Sequence, residues 1–294
     1  MDGPLFILGA PRSGTSLLYR VLCLHPAAAW VSGWNARATT LPEVAVLHRL
    51  GRGAPALRRR IWFGEEGDEL YPHRTALGRV ARRFPQPVEG ERVFRRRRAL
   101  PGHGATAPDR SQERLRRDVE RIVRASGGRV LVSKATAHNR RVSLLDSLFP
   151  ESRFVVVCRD GRDVAHSLTE AASWPREQPW WWMGTPTEWA AARDDVVALA
   201  ARHWVEEVTA IEDGVAGLPR SRVLRVTYEA MVRSPLDVLS GVAVFSGLGT
   251  DPGWEEELAE LRFPHFSRLT PRTTHEPRVD EIQADTLRDL GYPA

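Results

Sequence analysis

Four short apolar runs recur along the chain, and each leads through turn residues into a helical pattern. Leu5-Phe6-Ile7-Leu8 passes through a Gly/Pro loop into a helix from about Gly14 to Leu24, which His25-Pro26 stops. Val130-Leu131-Val132 passes Lys134 toward a helix near Arg141–Leu148. Phe154-Val155-Val156-Val157-Cys158 passes Arg159-Asp160-Gly161 toward a helix near Arg162–Ala172. Val223-Leu224-Arg225-Val226 precedes a helix opening at Ser234-Pro235, an N-cap followed by proline at the first helical position. Continuous apolar strands alternating with helices predict a parallel sheet buried on both faces, hence an α/β, doubly wound, three-layer fold. Ligands bind such sheets at the carboxyl ends of the strands. Three of the four runs place polar residues there: Pro11–Thr15, Ser133-Lys134 and Arg159-Asp160.

The 294 residues suit one domain spanning 1–294. Residues from about 35 to 126 break the strand–helix rhythm and read as an inserted, mostly helical region on the substrate side, over one sheet edge. Residues of about 174–189 hold five tryptophans, a lid candidate or packed core. Of the 42 Lys+Arg residues only Lys134 is a lysine, so an ammonium can come only from it or from the N-terminus. The arginine runs 58–60 and 95–98 could meet an anionic partner, but solvated helix faces are the preferred reading, with no nucleic acid. Cys23 and Cys158 sit in apolar runs, and no Cys/His cluster has zinc spacing. Without a basic n-region or about 20 consecutive apolar residues, the expectation is a cytoplasmic protein with no membrane partner and no metal.

Gly9-Ala10-Pro11-Arg12-Ser13-Gly14-Thr15-Ser16 lies between the first strand and its helix, the setting of a P-loop of form G-x-x-x-x-G-K-[ST]. Backbone N–H groups and the helix dipole make that turn an anion site. Ser16 fits the last position, but the lysine position is Thr15. Such a chain is poorly equipped to cleave ATP, yet can hold one phosphate through Ser13, Gly14, Thr15 and Ser16, with Arg12 beside it.

The segment Phe6 to Leu18 resembles the 5′-phosphosulfate loop of sulfotransferases that use 3′-phosphoadenosine 5′-phosphosulfate (PAPS). It is nearer the PRSGT form of tyrosylprotein, carbohydrate and many bacterial members than the lysine-bearing cytosolic form. Phe154 to Leu168 resembles the family's 3′-phosphate segment, an apolar strand, R-D-x-R-D, then a serine on the next helix. The resemblance implies a P-loop NTPase-like three-layer fold and PAPS as cofactor, released as PAP with no metal required. It implies that Arg159 and Ser167 hold the 3′-phosphate. A charge-assisted arginine contact beside a helix N-terminus agrees with that role. Arg162 and Asp163 read as a local ion pair or helix cap.

Lys134 matches a lysine that family members carry at this strand end, although the Thr-Pro that commonly follows is absent. Cations aimed at the oxygen joining sulfur to the leaving phosphate stabilise the transition state more than the ground state. That role is assigned to Arg12 and Lys134. The acceptor hydroxyl needs a base. His138 is the candidate, by likeness to a histidine that cytosolic members carry after a lysine. A packed histidine is the competing reading, with Glu43, His48 or a residue of the tryptophan segment left open. Tyr228 resembles a residue after the last core strand that either reaches the cofactor or packs in the core. Ser267 and Arg272 resemble a polar loop closing over PAPS. The expected reaction moves a sulfuryl group to a hydroxyl on a phenol, alcohol or carbohydrate of small size. A P-loop kinase and a nucleic-acid binder are the competing classes.

Overall fold

The computed structural model describes residues 2–67, 70, 84–95, 110–193, 195–263 and 276–293. In chain order the sheet and its principal helices are β1 (Leu5–Leu8), α1 (Thr15–Leu22), β2 (Ala28–Ala29), α2 (Arg110–Ser126), β3 (Val130–Lys134), α3 (Val142–Leu148), β4 (Arg153–Cys158), α4 (Gly161–Thr169), α5 (Val196–Val215), β5 (Val223–Thr227), α6 (Tyr228–Arg233), α7 (Pro235–Ser246) and α8 (Pro277–Asp289). The strands pair in the order β2-β3-β1-β4-β5, and every pairing is parallel.

Both faces of the sheet are covered, as the continuous apolar runs predict. Leu5 and Ile7 of β1, with Val132, Val155 and Val157, join one cluster that includes Leu17 and Leu18 of α1 and Leu239 of α7. Phe6 and Leu8 face the other way, into a cluster with Leu131, Phe154, Leu115 and Val119 of α2, and Leu145 of α3. The period of two thus divides β1 and β4 between two cores, and these strands leave no polar side to read in the sequence. The central strand β1 ends at Leu8 with β3 on one flank and β4 on the other. Its carboxyl end therefore opens beside those of both neighbours.

Among the described residues between β2 and β3, the helices are Gly33–Arg37, Pro42–Leu47 (a 3-10 helix), His48–Arg52, Pro55–Phe63, Glu91–Arg95 and α2. The amphipathic α2 is itself a covering layer of the sheet, because Leu115, Val119, Ile122 and Val123 lie on one face. The run Arg58 to Arg60 is not a free basic surface. Arg58 is buried, donates to the Leu24 carbonyl at 2.8 Å and pairs with buried Glu257 at 2.8 Å. Arg59 pairs with Glu260, and Arg60 with Glu65.

Candidate active site

At the carboxyl ends of β1, β3 and β4 lies a cleft of about 460 Å³. The loop after β1 forms its floor. Ser13 N–H donates to the Ala10 carbonyl at 3.2 Å, and the first i→i−4 bond of α1 runs from Leu18 N–H to Gly14 at 3.1 Å. The N–H groups of Thr15, Ser16 and Leu17 therefore head the helix without an intrahelical acceptor. Gly14 holds φ at 86°, and a Cβ there would meet Tyr228 Cδ2 at 2.3 Å. Among described residues other than glycine, Arg12 alone has positive φ, at 69°. That conformation costs about 1–2 kcal/mol in an L residue. The surroundings hold it: Arg159 Nη1 donates to the Arg12 carbonyl at 2.9 Å, and Arg12 Nε donates to Ser167 Oγ at 3.0 Å.

These two bonds join the loop after β1 to the one after β4. Arg159 is buried, its guanidinium stands 4.6 Å from the centre of the Tyr228 ring, and its Nε has no hydrogen-bond partner among the described residues. A buried guanidinium N–H without an acceptor, beside helix-terminal N–H groups, fits an anionic ligand and costs stability without one. Tyr228 is buried and also lines the cleft. Arg162 forms the local pair, donating to both oxygens of Asp160, whose Oδ1 also caps α4 through Arg162 N–H at 2.9 Å.

Pro11, Arg12, Gly14, Thr15 and Ser16 line the cleft. Ser13 does not: it is buried behind the loop, beside Cys158 and Trp204. Ser167 is brought to the site through Arg12. Lys134, far from the loop in sequence, arrives at the end of β3 and lines the same cleft, ion-paired with Glu89. Ser267 and Arg272 lie outside the described residues.

The expectation for His138 is corrected. Its ring is fully buried, edge-on to Phe6 at 5.4 Å and to Phe94 at 4.9 Å, with Nε2 at 3.0 Å from Ser133 Oγ. The turn Thr136–Arg140 points Thr136 and Arg140 at the cleft and His138 into the core. Burial pushes its pKa down to about 3. His48 is likewise buried, stacked on Trp30 at 4.4 Å, and Glu43 pairs with Arg121 at 2.5 Å away from the cleft-lining residues.

Of the tryptophan segment, Trp174 and Trp180 line the cleft. Trp174, itself 1% exposed, also packs with Trp181, Trp182 and Trp189 in a cluster with Leu199 and Val279. Asn139, Glu89, His203 and Glu207 belong to no motif legible in the sequence, yet the fold brings all four to the cleft or its wall. Glu207 has a recognisable signal: it occupies the buried stripe Ala200, Trp204, Glu207, Ile211, Val215 of α5, where an apolar residue is the rule. Among the described residues, no group of three or more His, Cys, Asp or Glu side chains could hold a metal ion, and no helix is long and apolar enough to cross a membrane.

A model described as the sulfotransferase family matches residues 4–252. The sulfotransferase STF9 from Mycobacterium avium is 15% identical, with a TM-score of 0.59 over 99% of this chain and 78% of its own. STF1 from Mycobacterium tuberculosis H37Rv is 17% identical, with a TM-score of 0.56 over 97% of this chain and 77% of its own. The sulfotransferase domain from the curacin biosynthetic pathway is 14% identical, with a TM-score of 0.53 over 100% of this chain and 99% of its own. At these identities the solved structures show a shared fold. No curated protein matches the sequence. The match across residues 4–252, more than half of the chain, shows that the chain belongs to the sulfotransferase family.

Proposed function

We propose that the cleft binds PAPS across the loops after β1 and β4 and transfers its sulfuryl group to a hydroxyl on a small acceptor. One observation carries this reading: the 2.9 Å bond from Arg159 to the Arg12 carbonyl makes the helix-terminal N–H cluster and the buried guanidinium one composite site for two phosphates. The N–H groups of Thr15, Ser16 and Leu17 hold the 5′ side, and Arg159 with Ser167 holds the 3′-phosphate. Bound PAPS supplies an activated sulfuryl group with PAP as its leaving group. Arg12 and Lys134 place positive charge where the leaving oxygen becomes negative. Arg12 is purely electrostatic, since a guanidinium does not give up its proton near neutrality.

The base is Glu89. His138 and His48 are enclosed in the core. His203 Nδ1 accepts from Trp181 Nε1 at 3.0 Å, so its neutral ring carries its proton on Nε2 and has no free acceptor nitrogen. Glu207 is buried and already accepts from Asn139 and Arg140. Glu89 and Glu177 remain as accessible carboxylates of the cleft, and Glu89 is the one touching Lys134. Its side chain is half exposed, so an incoming hydroxyl can reach it. Trp180 and Trp174 form the wall on the acceptor side and exclude water from the transferring group.

The kinase reading is disfavoured because Thr15, within the first turn of α1, stands where a kinase needs its lysine. Transfer of radiolabelled sulfur from PAPS to a library of phenols, alcohols and sugars, with a chelator present, tests the proposal. Labelled product without added metal is expected. Phosphoryl transfer from ATP with no sulfur transfer to any acceptor would overturn it.

A further inference from the structure

Asn139, Glu207, Arg140 and Trp180 form a continuous polar chain from the phosphate loop to the acceptor wall. Asn139 is buried and grips Gly9 at both ends of its backbone: Gly9 N–H donates to Oδ1 at 3.1 Å, and Nδ2 donates to the Gly9 carbonyl at 3.0 Å. The same Nδ2 donates to Glu207 Oε2 at 2.6 Å. The other oxygen of Glu207 accepts from Arg140 Nη1 at 2.9 Å. The Trp180 indole also stands beside this carboxylate. The Arg140 guanidinium also lies 5.0 Å from the centre of the Trp180 ring. Glu207 is 1% exposed, on the 20-residue helix α5 packed against α4 and the turn Thr136–Arg140.

We propose that Glu207 is a positioning residue that couples the two halves of the site, setting the phosphate loop through Asn139 and the acceptor wall through Arg140 and Trp180. Two features favour this over a role in stability alone. A buried ion pair is weak evidence for stability, because desolvation offsets most of its attraction. The groups that Glu207 holds are divided between the two substrates' sides rather than clustered in one core. Gly9 is the first residue after β1, and its peptide sets the direction in which the following N–H groups point. Arg140 is held to the carboxylate and Trp180 to the Arg140 guanidinium, so the wall has a fixed orientation before the acceptor arrives.

The inference rests on the proposed PAPS site, and its test separates the two. PAP is titrated calorimetrically into the wild-type chain and into Asn139→Ala, Arg140→Met, Glu207→Gln and the double variant Asn139→Ala/Glu207→Gln. Acceptor KM and kcat are measured with a substrate found in the sulfur-transfer screen. Asn139→Ala should weaken PAP binding about tenfold, the size of one net buried hydrogen bond, with little change in acceptor KM. Arg140→Met should raise acceptor KM about tenfold with PAP affinity unchanged. Glu207→Gln should move both, and its effect on PAP should vanish in the Asn139→Ala background, because it acts through Asn139. A stability role would lower the melting temperature and the active fraction while leaving the Kd and KM of the folded protein unmoved. Glu207→Gln with unaltered PAP affinity and acceptor KM overturns the inference. So does full additivity with Asn139→Ala. Failure of the wild-type chain to bind PAP overturns the PAPS site itself.

Discussion

Replacing Gly14 by alanine strikes the fold and the site at one atom. Gly14 holds φ at 86°, which costs an L residue about 1–2 kcal/mol. The new methyl would also stand 2.3 Å from Tyr228 Cδ2 and 2.8 Å from Cε2. The ring is 4% exposed and has little room to retreat, so overpacking adds about 1–3 kcal/mol. The expected loss is about 2–5 kcal/mol, measured as the shift of the urea midpoint at unchanged slope. Since the Arg159 guanidinium lies 4.6 Å from the Tyr228 ring centre, displacing the ring also disturbs that arginine, and PAP affinity should fall with stability. Gly241→Ala is the control. Gly241 is exposed within α7, and a methyl there would meet no atom within 4 Å, so the variant should gain about 0.5–1 kcal/mol of stability. If Gly14→Ala stays within about 0.5 kcal/mol of wild type and binds PAP as tightly, the close packing of Tyr228 on the loop is refuted.

Three further outcomes follow from other parts of the structure. Glu89→Gln should lower kcat about 10²–10⁴-fold with PAP affinity kept; an unchanged kcat would remove Glu89 as the base. His48 and His138 have pKa values pushed down to about 3 by burial, and His203 to about 4. Because the unfolded chain protonates first as pH falls below about 6.5, stability should decline from there toward about pH 4, by up to about 1.4 kcal/mol per unit for each group, and be unaffected by these residues above neutrality. Urea midpoints from pH 7.5 to 5.5 should show that fall, and a smaller one in His138→Phe; equal slopes would contradict the neutral, buried assignment. Arg58→Met leaves Glu257 buried without its partner and should cost about 3–5 kcal/mol in the same denaturation assay, whereas loss of the exposed Arg60–Glu65 pair should be nearly neutral.

The sheet was legible because its strands are continuous apolar runs, and four of the five fall where those runs lie. The fifth, Ala28–Ala29, has no β-branched or aromatic residue to announce it and exists by pairing with the start of β3. The loops after β1 and β4 were legible because a strand-to-helix turn of glycine and small polar residues stands out in sequence order. Which of those residues face the ligand was not. Ser13 and Thr15 are two residues apart, but only Thr15 lines the cleft, since the chain reverses at Gly14. His138 shows the same limit: a tight turn sends its neighbours Thr136 and Arg140 to the cleft and its own ring between Phe6 and Phe94. Glu89, His203 and Glu207 come from distant segments, and no spacing relates them to Lys134 before the fold assembles them.

The most direct test compares calorimetric affinities for PAP and for adenosine 5′-monophosphate, which lacks the 3′-phosphate, in the wild-type chain and in Arg159→Ala. A strong wild-type preference for PAP is expected to collapse in the variant, with binding of the monophosphate falling far less than that of PAP. Equal affinities in the wild type, or a preference that survives loss of Arg159, would contradict this expectation.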